Sequence, residues 1–142
     1  MKIFIAISLM LVTMIVHADS ADLKVVLTGV SSDDGSLMLA LVDSERAFIS
    51  KKNDTEIFRG ASLTIQKGRA EYVFKNLPYG EYAIKAFHDR NDNQRLDTNS
   101  IGIPTEGYGF SNNARGLFGP PNYSKARFVF DPETSMMTIE IR

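Results

Sequence analysis

The chain holds 142 residues, with 16 Lys plus Arg against 17 Asp plus Glu, two His and no Cys. A formal charge of −1 offers no basic excess to neutralise phosphates, so a nucleic-acid partner is not expected. Without thiols there is no disulfide framework, no thiolate metal site and no cysteine nucleophile.

The chain begins MKIFIAISLMLVTMIVHADS. Lys2 supplies a short positive start, Ile3 to Val16 an apolar run, and Val16-His17-Ala18 a small-residue cleavage site. These are the three parts of a secretory signal peptide over residues 1–18. The run stops at Asp19, short of the roughly 20 apolar residues that a membrane-spanning helix requires. An uncleaved anchor is the alternative, and lipid anchoring is excluded because no Cys follows the run. Residues 19–142 are then one domain, large enough for a core of its own. The expectation is an exported monomer, periplasmic or extracellular, with no stable membrane insertion after cleavage. Asn53 and Asn122 head Asn-x-Ser/Thr tripeptides, which matter only in a eukaryotic host.

Period-two runs dominate the remainder of the chain. Leu23, Val25 and Leu27 alternate with Asp22, Lys24 and Thr28, as in a half-buried strand. SSDDG at 31–35 reads as a turn into Leu37 to Val42, which is apolar on both faces and therefore central in its sheet. Ser44 to Gly60 is ambiguous, with one helical turn capped by Ser44 as the reading for its start. Leu63 and Ile65 mark a short strand, QKGR a turn, and AEYVFKNL the next strand. Pro78-Tyr79-Gly80 turns the chain into EYAIKAFHD, and ARFVF (126–130) and MMTIEIR (136–142) close it around an Asp131-Pro132-Glu133 turn. About seven short strands joined by Gly, Pro and Asp turns predict an all-β fold, an antiparallel β-sandwich. One long gap, from Thr98 to Lys125, carries Tyr108, Phe110, Phe118 and Tyr123. Disordered tracts are poor in aromatics, so an ordered Ω-type loop at one end of the sandwich is expected there.

FHDRNDNQRLDTNS, Phe87 to Ser100, runs from a strand into a dense set of Asp and Asn. Ca²⁺ prefers six to eight oxygen ligands, and the EF-hand loop supplies side-chain oxygens at its first, third, fifth and ninth positions and a carbonyl at its seventh. Counted from Asp89, those positions are Asp89, Asn91, Asn93, Asp97 and the Arg95 carbonyl, with Leu96 as an apolar anchor. Two positions depart from the template: Gln94 stands where Gly is usual, and Ser100 where a bidentate Glu is usual. Glu106 or Asp92 would have to complete the set. The two readings are a weak structural Ca²⁺ site and a polar turn whose Asn and Asp satisfy their own backbone.

The stretches NLPYGEYAIKAFHDRNDNQRLDTN, GIPTEGYGFSNN and FGPP resemble the exported bacterial proteins grouped as domain of unknown function 2141. That resemblance implies a Gram-negative exported protein, a transthyretin-like or immunoglobulin-like sandwich, and no known activity. The acidic loop is also similar to the Ca²⁺ loops in B-type repeats of Gram-positive surface adhesins, which marks Asp89, Asn91, Asn93 and Asp97. LPYGEY is similar to the turn that leads into a central strand in transthyretin-like and carboxypeptidase-accessory sandwiches.

Catalytic machinery is not expected. His88 is the only imidazole left after signal cleavage, and it reads as a turn-stabilising side chain. The serine motif around Ser111 lacks the strand-turn-helix setting of a nucleophile elbow. A hydrolase built on His88, Asp97 and Glu106 is the enzymatic alternative. The favoured reading is a binding or accessory module for a protein or carbohydrate ligand. Its candidate surface is Glu106, Tyr108, Phe110, Phe118 and Tyr123, unless those rings plug the sandwich. A structural envelope protein that associates through MMTIEIR as an edge strand is the other alternative.

Overall fold

A computed structural model of the protein describes residues 19–50 and 57–142. The signal peptide expected at 1–18 and the Asn53 tripeptide lie outside the described residues.

The described chain is a sandwich of two sheets. The first contains β1 (Ser20–Thr28) at its centre, flanked by β4 (Ala70–Pro78) and β8 (Met136–Glu140). The second runs β3 (Arg59–Thr64), β2 (Ser36–Val42), β5 (Gly80–Asp89) and β6 (Tyr108–Phe110), with β7 (Phe128–Phe130) also paired to β5. The expected β-sandwich is present, with eight strands among the described residues. The extra strand is β6, three residues inside the long gap. One pairing departs from the antiparallel expectation: β8 lies parallel to β1, with Val25 opposite Met137. The Asp131 turn therefore carries the chain from one sheet to the other, and β7 and β8 do not form a hairpin.

Alternation puts Leu23, Val25 and Leu27 of β1 against Leu37, Leu39 and Leu41 of β2 and Tyr82, Ile84 and Ala86 of β5 in the inter-sheet core. β2 is central, between β3 and β5, as its two apolar faces predict. Its other face explains a second cluster outside the sheet. There Val42 and Ala83 meet Phe48 of helix α1 (Glu45–Ile49), Phe110, and Tyr123 and Ala126 of helix α2 (Tyr123–Ala126). Ser44 caps α1 as expected, its Oγ accepting the Ala47 N–H at 3.3 Å. Lys85 Nζ closes the other end of α1 by donating to the Ala47 and Phe48 carbonyls at 3.1 and 3.2 Å.

The LPYGEY turn is fixed by its tyrosine. Tyr82 Oη donates to the Pro78 carbonyl at 2.9 Å, the tyrosine-corner device of β-sandwiches. Both sides of the sandwich are then closed. On one side the Arg59 guanidinium donates to the Lys75 and Asn76 carbonyls, clasping β3 to β4. On the other, Tyr108 and Arg142 exchange backbone hydrogen bonds at 2.9 and 3.1 Å. That closure bears on the final strand as an edge. Ser135 and Ile141 face β1, so the even-numbered residues face outward. Of those, Glu140 gives its N–H to Asn113 Oδ1 at 2.8 Å and Arg142 pairs with Tyr108. Open edge is confined to Met136–Thr138, much less than the whole of MMTIEIR that the edge-strand reading expects.

Candidate functional site

β5 delivers its last residue, Asp89, into the interior with its side chain fully buried. A buried carboxylate needs hydrogen-bond donors. Asp89 Oδ1 accepts the Asn93 N–H at 3.0 Å and Oδ2 accepts the Gln94 N–H at 2.7 Å, which winds the chain back around the carboxylate. Asn91 and Asn93 tighten the winding through Asx-turns, Asn91 Oδ1 to the Asn93 N–H at 3.2 Å and Asn93 Oδ1 to the Arg95 N–H at 2.8 Å. Both amides also reach Asp97: Asn91 Nδ2 donates to Oδ2 at 2.7 Å and Asn93 Nδ2 to Oδ1 at 3.0 Å. Four of the expected ligands, Asp89, Asn91, Asn93 and Asp97, are thus brought together around one turn, with Arg95 on the same turn. Gln94 takes φ 63°, the left-handed conformation for which the template uses glycine, at a cost of about 1–2 kcal/mol.

Glu106 lies behind this loop. It is only 7% exposed, its Oε1 accepting the Arg90 N–H at 2.8 Å and its Oε2 the Asp97 N–H at 2.9 Å. One carboxylate therefore clamps both arms of the loop. This corrects its place on the expected ligand surface, since burial removes it from contact with a large partner. Asp92 accepts the Ser36 hydroxyl at 2.8 Å. Ser100 is exposed, on a hairpin tip in which Asn99 Oδ1 accepts the Ile101 and Ile103 N–H groups at 3.1 and 3.0 Å.

The electrostatics of the loop are one-sided. Among the described residues the ion pairs involve Asp22, Glu71, Glu81 and Glu140, and none reaches Asp89, Asp97 or Glu106. These carboxylates are held by backbone and amide N–H groups without a side-chain cation. A shallow polar depression beside them is lined by Asp34, Arg90, Asn91, Asp97, Thr105 and Glu106. No group of three or more His, Cys, Asp and Glu side chains gathers as a metal site among the described residues. Any cation here would rest on the two Asn oxygens and a carbonyl as well as on carboxylates.

His88 sits as expected at the strand end. It is buried, and its Nε2 donates to the Asp34 carbonyl at 2.7 Å, tying the β1–β2 turn to the acidic loop. His88, Asp97 and Glu106 share no hydrogen bond among the described residues. Ser111 is buried, its Oγ accepting the Ile84 N–H at 2.8 Å and donating to the Ala126 carbonyl, which makes it a brace.

The four rings do not form a common platform. Phe110 and Tyr123 are buried against Phe48, with ring centroids 5.6 and 5.7 Å away, and Tyr108 is half-buried against Phe110. Burial pushes the Tyr123 phenol above its ordinary range, and the Glu81 carboxylate that accepts its hydroxyl at 3.2 Å adds to this. The expected surface is corrected accordingly: three rings pack on the sandwich and Phe118 alone is fully exposed. The second cluster draws them in because the outer face of β2 and β5 is apolar.

Against known protein families, residues 25–138 match the model described as "Uncharacterized protein conserved in bacteria (DUF2141)". The chain belongs to this family. No match is found among curated proteins, nor among solved structures.

Two parts of this family member's site carry weaker sequence signals. Gly35 and Ser36 brace the acidic loop from the neighbouring turn. Asn112 and Asn113, at φ 59° and 49°, aim their amides across the base of the loop that carries Phe118. The Asn-Asn pair is the available signal there, because Asn tolerates left-handed backbone.

Proposed function

We propose that this family member is an exported, non-catalytic binding or accessory module whose acidic loop takes up one Ca²⁺. The observation that carries the reading is the convergence of Asp89, Asn91, Asn93 and Asp97 on one turn, with no ion pair to Asp89 or Asp97 among the described residues although Arg90 and Arg95 lie nearby. These are hard oxygen donors, which fit Ca²⁺ better than Mg²⁺ because the cage is all protein and irregular. The ion would supply structural charge neutralisation. The chain's own part is to hold the loop: Asp89 from its buried seat, Glu106 from behind, and His88 and Ser36 through the β1–β2 turn. Each Asp89 oxygen keeps a second lone pair after accepting one N–H, so it can serve the backbone and a cation together. With two charged ligands the affinity belongs at the weak end, about 10⁻⁴–10⁻³ M. The apolar start of the chain, residues 1–18, supports export to a compartment where Ca²⁺ at such levels is available.

Equilibrium dialysis of the chain from Asp19 onward tests this. One Ca²⁺ per chain, lost in Asp97→Asn, is the expected result. No bound Ca²⁺ at about 10 mM, ten times the weakest expected dissociation constant, overturns the reading.

A further inference from the structure

We propose that Leu117 and Phe118 form a membrane-contacting tip that docks the protein onto an anionic lipid bilayer. The tip belongs to a different loop from the acidic one, so the two readings stand or fall separately.

The loop runs from Ala114 to Asn122 and is pinched at its base. Asn112 Nδ2 reaches the Lys125, Ala126 and Arg127 carbonyls at 3.2, 3.3 and 2.8 Å, and Ser111 Oγ donates to the Ala126 carbonyl. Asn113 Oδ1 accepts the Glu140 N–H at 2.8 Å, fixing the near arm to β8. The tip itself is a tight turn. A β-carbon on Gly116 would stand 2.2 Å from the Gly119 carbonyl oxygen and 2.6 Å from that of Pro120. Between these constraints Leu117 is 91% exposed and Phe118 fully so. An ordered loop, tied down on both arms, thus holds two large apolar side chains in water, which folding alone does not require.

Charge selects the partner. Residues 107–130 contain Arg115, Lys125 and Arg127 and no acidic residue, in a chain whose net charge is −1. Of the acids that approach from neighbouring elements, Glu81 pairs with Arg127 and Glu140 with Arg142, and Asp43 lies near enough to Tyr123 to act on its phenol. Lys125 stands as exposed positive charge behind the apolar tip, and Arg115, half-buried and donating to the Glu140 carbonyl at 3.5 Å, adds to it. Two side chains on a convex turn are far too little for a stable protein interface, which buries about 1,600 Å². An apolar tip backed by cations suits reversible attachment to anionic headgroups, where modest burial and electrostatic attraction add.

The test uses the chain from Asp19 onward, which contains every described strand and both core clusters, and co-sedimentation with vesicles of phosphatidylethanolamine and phosphatidylglycerol. The chain has no Trp, so Phe118→Trp provides a single reporter at the tip. Binding to anionic vesicles is expected, with a blue shift of that Trp and quenching by brominated lipid. Leu117→Ser/Phe118→Ser should lower partitioning about tenfold per side chain. Lys125→Glu should lower it about fivefold, with a matching loss of salt sensitivity. No partitioning, partitioning unchanged by the serine pair, or an unshifted and unquenched Trp overturns the proposal. Melting of the serine pair checks its fold, and if it is unstable the Trp reporter decides. Running the series in EDTA and in Ca²⁺ separates the two readings, since loss of one signal leaves the other to be read.

Discussion

A β-carbon placed on Gly35 would lie 2.0 Å from the Asp89 carbonyl oxygen. The β1–β2 turn is thus pressed directly onto the first residue of the acidic loop, at a position where Gly35 also takes φ 68°. Gly35→Ala should destabilise the fold by more than about 2 kcal/mol, because left-handed backbone cost and backbone collision add. Chemical denaturation of the variant beside Gly68→Ala, which faces the Val30 carbonyl at 2.8 Å, checks this. The Gly35 change should be the larger.

The tyrosine corner gives a second prediction. Tyr82→Phe keeps the ring in the core and removes only the hydroxyl that reaches the Pro78 carbonyl. The expected loss is about 1 kcal/mol, the net worth of one hydrogen bond, and urea unfolding would show it as a lower midpoint with unchanged slope.

Asp33 gives a pH dependence. Its carboxylate accepts the Gly68 and Lys67 N–H groups at 2.7 and 2.8 Å, and these bonds hold its pKa below the ordinary 3.8, Gly68 contributing most. A carboxyl with a lowered folded-state pKa adds stability that is complete above its unfolded value and fades as the pH falls through the folded one. The stability gap between the wild type and Asp33→Asn should therefore be constant near neutrality and shrink below about pH 4. Urea midpoints across that range, with a gap that instead widened in acid, would contradict the assignment.

Much of the fold was legible because it is local. Leu23, Val25 and Leu27 announce a strand by alternation, Ser44 a helix start by its hydroxyl, and Pro78-Tyr79-Gly80 a turn, though not the corner that Tyr82 makes there. The parallel β1–β8 pairing was not, since nothing in MMTIEIR says which strand it joins from the far end of the chain. β6 escaped because three residues are too few to show a period. At the site, the spacing of Asp and Asn marked the loop and its left-handed Gln94. The clamp by Glu106 was invisible, because it depends on β6 returning beside β5 and bringing an acid behind the loop.

That clamp is itself testable. In Glu106→Gln the amide nitrogen faces either the Arg90 or the Asp97 N–H, leaving one part-buried donor unmet at about 1 kcal/mol. Both the melting temperature in EDTA and the Ca²⁺ affinity should fall. Amide hydrogen exchange at Arg90 and Asp97 should rise most, and uniform exchange across the chain would count against a local clamp.

The most direct measurement is thermal melting of residues 19–142 in EDTA and then across a Ca²⁺ series, with Asp89→Ala/Asp97→Ala alongside. A loop folded around Ca²⁺ predicts a saturable rise that the double variant lacks. At about 100 times the dissociation constant the ion adds about 2.7 kcal/mol, a shift on the order of 10 °C for a domain of this size. An identical melting temperature in EDTA and in about 10 mM Ca²⁺ would contradict the account and leave Phe87–Ser100 as a polar turn closed by its own hydrogen bonds.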